Sequence, residues 1–114
     1  MAWQVEFHPG LEAEFASMPE EAQDELLARA AMLCEFGPGL GRPAVDTLKG
    51  SRIANLKEMR FGAAGGVWRV VFAFDGDRVA VLLAAGDKRG LRGGAEERFY
   101  KRLIALAEQR FWDR

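Results

Sequence analysis

Glu58, Arg60, Arg69 and Lys88 are the residues of this chain with most to offer chemically, and their spacing is regular. Glu58 and Arg60 stand two apart in NLKEMRF, Arg69 lies in VWRVVFAFD, and Lys88 closes the apolar run VAVLLAAGDK. Residues two apart on a strand share a face, so Glu58 and Arg60 point one way while Met59 and Phe61 point toward a core. Arg69 shares a strand face with Val67, Val71 and Ala73, where an unpaired guanidinium would be costly to bury. It must face water, a carboxylate or a ligand. Hairpin turns at 62–66 and 75–77 fold the three runs back on one another, which brings Arg60, Arg69 and Lys88 to one end of a sheet.

Such a group suits cleavage of an RNA phosphodiester. A 2′-hydroxyl must lose a proton, a pentacoordinate phosphorane must be stabilised, and the 5′-oxygen must gain a proton. Arginine offers permanently charged, bidentate contacts to phosphate but donates protons poorly. Glu58 is therefore the first candidate base, Asp46 the second, and Lys88 a candidate proton donor. Lys49, Arg52 and Lys57 precede the cluster and Arg89 and Arg92 follow it, as guides for a polyanion. Tyr100 is placed to stack on a base or orient a hydroxyl. The same residues also suit a cross-strand salt-bridge ladder, with Glu58 against Arg60 or Arg69.

Other chemistries find little support. Cys34 is the only cysteine and His8 the only histidine, so a zinc site built from those residues is excluded. Cys34 reads as a small buried hydrophobe in a helix, and His8, beside Pro9, as structural. The glycines of GAAGG lack the Lys-Ser/Thr of a phosphate-binding loop. No metal and no cofactor are expected.

The elements that must position these residues follow from periodicity. Trp3, Val5 and Phe7 alternate with polar residues, which predicts an edge or half-buried strand. A short helix is expected over 11–16. A longer one starts at Pro19, with acids in its first turn, and carries Ala22, Leu26, Ala30 and Leu33 on one face. Gly37 and Pro38 end it, and 37–51 reads as a loop. Strands are expected over 56–61, 67–74 and 79–88, the last apolar on both faces and therefore interior. Residues 95–112 return to helical spacing. The expected fold is α+β, in the order β-α-α-β-β-β-α: an N-terminal strand plus a three-strand antiparallel meander, with helices packed on one face.

A chain of 114 residues forms one domain, 1–114, large enough for one core. It begins without an apolar leader and has no run long enough to span a bilayer, so a soluble cytoplasmic protein is expected, with no membrane partner. The net charge of −1 conceals an asymmetry. Residues 1–41 sum to −7, residues 42–92 to +5 and residues 93–114 to +1. Local potential rather than total charge attracts a polyanion.

Four segments in order, LGRPAVDTLKGSR with NLKEMR, then WRVVFAFD, then GDK, then FYKRLIALAEQ, resemble the RelE/HigB-type toxins of bacterial type II toxin–antitoxin pairs, in the phage-related branch of the RelE/ParE superfamily. The similarity runs from about Phe15 to Phe111. It implies a toxin that enters the ribosomal A site and cuts mRNA, held inactive in a heteromeric complex by a cognate helix-turn-helix antitoxin. Arg60 and Arg69 match basic strand positions of that family, Lys88 and Arg89 match the basic pair closing the last strand, and Asp46 falls where some relatives carry glutamate. The chain departs from relatives that carry a C-terminal histidine. Two other activities are compatible with the resemblance: a ParE-like inhibitor of DNA gyrase, and a catalytically weak antitoxin-binding module.

Overall fold

A computed structural model describes residues 2–114. β1 (Gln4–Phe7) leads into α1 (Pro9–Ala16) and α2 (Glu20–Phe36), and a 3-10 turn (Gly37–Gly39) follows. Then come β2 (Val45–Thr47), β3 (Lys57–Ala63), β4 (Gly66–Phe74), β5 (Val79–Asp87) and α3 (Gly93–Trp112). The strands form one sheet in the order β1-β5-β4-β3-β2. β3, β4 and β5 are the expected antiparallel meander, and β1 closes one edge, parallel to β5. β2 is an addition: three residues of the supposed loop pair antiparallel with Thr47 opposite Lys57 and Asp46 opposite Glu58. A strand that short, flanked by glycine and proline, leaves no periodic signal.

Local chemistry sets the boundaries. His8 caps α1 by accepting the Gly10 N–H on Nδ1 at 3.0 Å, so the lone histidine is structural. Ala64 and Gly65 both take positive φ, 52° and 76°, as a two-residue hairpin with right-handed strand twist requires. The Asp75 carboxylate accepts the Asp77 and Val79 amides and so closes the next turn.

The sheet buries both faces. On one, α1 and α2 cover Met59, Phe61, Val70, Phe72, Ala80 and Leu82, burying Leu11, Leu26 and Leu33. On the other, α3 lays Phe99, Leu103 and Ala107 over Val71, Ala73, Val81 and Leu83. The expectation of helices on one face therefore holds for α1 and α2 and is corrected for α3. Periodicity shows that a helix has an apolar stripe but not which side of the sheet receives it.

One irregularity matters for the site. Val71 pairs with Ala84 but Phe72 pairs with Leu82, so Leu83 is an extra residue on β5. Such a bulge reverses the facing of everything beyond it. Leu83 and Ala84 accordingly both belong to the α3-side core. Beyond them Gly86 and Lys88 lie toward α3: an added Cβ on Gly86 would meet Phe99 Cε2 at 2.8 Å, and Lys88 Nζ bonds Glu96. Here β5 has lost its neighbour, because β1 pairs only as far as Leu82. Two side chains take over the open edge: Arg110 donates to the Leu83 carbonyl at 2.8 Å, and Glu14 accepts the Ala85 amide at 3.3 Å. Arg110 and Glu14 also pair with each other through two contacts, at 3.0 and 2.6 Å.

Candidate functional site

The groove lies on the α3 side, between the ends of β3, β4 and β5, the segment 47–50, and α3, and encloses about 860 Å3. Arg60 and Arg69 stand directly opposite on β3 and β4, and Gly86 stands opposite Arg69 on β5. Two cations facing each other across a ladder are unfavourable alone. Glu58 relieves them: its Oε1 accepts Arg60 Nε at 2.8 Å and lies 4.0 Å from Arg69 Nε. Tyr100, reaching in from α3, accepts Arg69 Nε on its hydroxyl at 3.0 Å and donates to Glu58 Oε1 at 3.4 Å. Arg69 is further fixed by donating to the Trp68 carbonyl at 2.9 Å.

Lys88 joins from β5, with Nζ paired to Glu96 on the first turn of α3 and 5.9 Å from the centre of the Tyr100 ring. Asp46 sits at the outer edge, bridging Arg42 at 3.1 Å and Arg60 at 3.3 Å. The sequence-predicted Glu58, Arg60, Arg69, Lys88 and Tyr100 thus meet in one groove, with Lys49 on its rim. Each of the three cations also has a carboxylate partner. The site is a network of ion pairs rather than a bare positive patch.

Three expectations change. Glu58 lies on the predicted face but is only 1% exposed, beneath the guanidinium groups, with Oε2 buried and without a partner. Glu58 stands opposite Val71 on β4 and receives the Tyr100 hydroxyl, on the sheet face that α3 covers. Tyr100 turns its hydroxyl into the cluster instead of offering an open ring. Four of the proposed RNA guides fall outside the groove lining. Lys57 alternates with Glu58 and bonds Thr47 at the sheet edge. Arg89 donates to the Gly65 carbonyl, Arg92 precedes α3 as an exposed residue, and Arg52 engages Glu108 through its backbone amide.

Electrostatics follow the contacts. Burial pushes the Tyr100 hydroxyl above the usual tyrosine range, although its bond from Arg69 pulls the other way. The phenol therefore stays protonated at neutral pH. The Glu58 hydrogen bond raises Arg60 still higher. The Arg42 hydrogen bond holds Asp46 below the usual carboxylate value, and the Lys88 contact does the same for Glu96. Both acids are firmly ionised and poor proton acceptors.

Sequence reasoning missed Glu96, Lys101 on the far rim, and the Glu14–Arg110 clasp. Glu96 stood in view as a first-turn acid eight residues after Lys88. Nothing in a single sequence marks the bulge that makes the two neighbours. Among the described residues no cluster of His, Cys, Asp and Glu is arranged to hold a metal, and no helix is long and apolar enough to cross a membrane.

Residues 13–112 match the family described as Phage derived protein Gp49-like. Two Mycobacterium tuberculosis proteins are similar in sequence. "Putative toxin HigB2" is 40% identical over 95 residues, which are 82% of this chain and 45% of that protein. "Putative toxin HigB3" is 38% identical over 102 residues, 90% of this chain and 84% of that protein. The chain thus spans under half the length of the first relative. Two solved structures share the fold. One is an E. coli RelE toxin mutant in the free state, with TM-score 0.65 and 14% identity over 96% of this chain and 98% of that one. The other is the archaeal RelE–RelB complex of Pyrococcus horikoshii, with TM-score 0.61 and 22% identity over 80% of this chain and 100% of that one.

Proposed function

The chain belongs to the Phage derived protein Gp49-like family, and from that premise we propose that it is the toxin of a type II toxin–antitoxin pair, a ribosome-dependent endoribonuclease that cuts mRNA. Its partners in this reading are the ribosomal A site, the message, and a cognate helix-turn-helix antitoxin. The observation that carries the reading is the meeting of Arg60, Arg69 and Lys88 with Glu58 and Tyr100 in one open groove.

The chemistry runs from that arrangement. The Lys88–Glu96 pair is part-exposed, and water screens such pairs, so a phosphodiester displaces Glu96 at small cost. Arg69, held by Tyr100 and the Trp68 carbonyl, presents its remaining N–H groups to the equatorial oxygens. Arg60, the most exposed of the trio at 42%, swings from Glu58 to the phosphate as charge builds on the phosphorane. Glu58, released from Arg60, has a free acceptor for the 2′-hydroxyl proton. Tyr100, kept protonated, gives its proton to the departing 5′-oxygen. No metal or cofactor enters any step.

Pairing of Arg60, Arg69 and Lys88 with carboxylates favours one second reading, a catalytically weak antitoxin-binding module. The test is induction of the chain in growing cells with mapping of RNA 5′ ends. Codon-phased cuts inside translated messages, lost in Arg69→Ala, are the expected result. Full growth arrest by Arg69→Ala would remove the nuclease reading. Supercoiling defects without cuts would point instead to gyrase, and no arrest with intact antitoxin binding to the weak module.

A further inference from the structure

The C-terminal half of α2 carries a surface that neither the core nor the groove uses. From Leu27 to Phe36 six residues are exposed, and five are apolar: Leu27, Ala28, Ala31, Met32 and Phe36, with Glu35 the exception. Leu27 is 50% exposed, Met32 38% and Phe36 54%. Isolated exposed leucines are ordinary, but an apolar arc over about 15 Å of helix, broken only by Glu35, marks a contact site. The N-terminal half of the same helix is the opposite in character. Glu20, Glu21 and Asp24 are exposed there, and the one basic residue of α2, Arg29, is paired within the helix to Glu25.

From this arrangement we infer that the outer face of α2 docks an apolar segment of the antitoxin, one flanked by lysine or arginine that meets the acidic first turns of the helix. The inference rests on the toxin–antitoxin reading above. Charge complementarity selects the occupant. A second copy of this chain would bring an α2 whose one base, Arg29, is already paired to Glu25, so it leaves the acidic first turns without a basic partner. A segment with apolar anchors and basic flanks satisfies both halves of the helix. α2 covers the sheet face opposite to α3, and the groove lies on the α3 side. The docked segment therefore sits behind the sheet and leaves the groove itself uncovered.

The test uses the full chain and the product of the reading frame adjacent to its gene as the probe, with binding measured by calorimetry. Leu27→Glu with Phe36→Glu removes two anchors and is expected to weaken binding at least about 30-fold. Because both side chains are already half in water, the melting temperature should stay put. Ala31→Arg, on the same arc, should weaken binding as well. Arg69→Ala should bind like the unaltered chain. The double variant should still arrest growth and escape rescue by the co-expressed neighbour. Unchanged binding by the double variant would overturn the proposal, as would loss of binding in Arg69→Ala alone. A chain that is dimeric by light scattering, and that the double variant makes monomeric, would assign the face to self-association and overturn it too. Should the unaltered chain cause no arrest yet bind through Leu27 and Phe36, the docking face stands and the toxin reading fails.

Discussion

At the scale of single residues, the proposed mechanism rests its two proton transfers on Tyr100 and Glu58. Tyr100 carries the hydroxyl that Arg69 holds and Glu58 receives. Tyr100→Phe keeps the ring packing against Phe99 and removes only that oxygen. Stability is expected to fall by about 1 kcal/mol, the net value of a hydrogen bond, while cleavage of translated message falls at least about 100-fold if the phenol is the proton donor. Comparing denaturant midpoints with cleavage rates separates the two effects; a rate loss no larger than the stability loss would make Tyr100 a mere strut. The pH dependence has a definite sign. The folded pKa lies above the ordinary value because of burial, so the acid form persists at neutral pH and the donor is lost only as pH rises through that raised value. Glu58→Gln gives the complementary result, because it keeps the shape but leaves Arg60 and Arg69 facing each other without a carboxylate. Alternation along the strand was enough to put Glu58 on the groove side, and Tyr100 stood out in the sequence only as a helix residue able to stack on a base or orient a hydroxyl. That Glu58 would be buried was not legible, because burial depends on which face α3 covers.

Secondary-structure elements bring the argument to the bulge. Lys88 reaches the groove because Leu83 is the extra residue in β5, and the Glu14–Arg110 pair occupies the backbone groups left free at that edge. Arg110→Met would strip the Leu83 carbonyl of its charged partner and leave Glu14 unpaired. The expected cost is about 2–4 kcal/mol, in the range for breaking a partly buried charged pair. Glu14→Gln should cost less, since an amide oxygen still accepts the Ala85 N–H. Urea unfolding of both variants and of the double variant measures the coupling; additive effects would show that the clasp does not act as a unit. Gly86 offers a second handle on the same element. A methyl there would sit 2.8 Å from Phe99 Cε2, so Gly86→Ala must push α3 away from β5 and is expected to destabilise by about 1–3 kcal/mol. The sequence announced β1, α2 and α3 through periods of 2 or 3.6 and the meander through β-branched and apolar runs between turn residues, with α1 expected only as a short helix over 11–16. It could not announce β2, the bulge or the side chosen by α3, which arise from pairing across distant parts of the chain.

For the molecule as a whole, charge and topology divide the work between two faces. The acidic first third becomes β1, α1 and α2, and the basic middle becomes the strands that end at the groove. Yet the cations there are matched by Glu58, Asp46 and Glu96, so whether the groove attracts RNA depends on those pairs opening. Salt titration distinguishes the two states. Binding of single-stranded RNA releases about 0.7 counterion per phosphate contacted. Three contacts, from Arg60, Arg69 and Lys88, give a slope of log K against log salt of about −2. Pairs that stay closed contribute almost nothing, because each cation keeps its internal counterion. Lys88→Gln should reduce the slope by about 0.7, and Glu96→Gln should raise affinity at constant slope by removing the competitor for Lys88. A short unstructured oligonucleotide is the appropriate ligand, since the ribosome would add contacts of its own. A slope near zero in the unaltered chain, unmoved by Lys88→Gln, would mean that the carboxylates never yield and that the groove is a structural ladder.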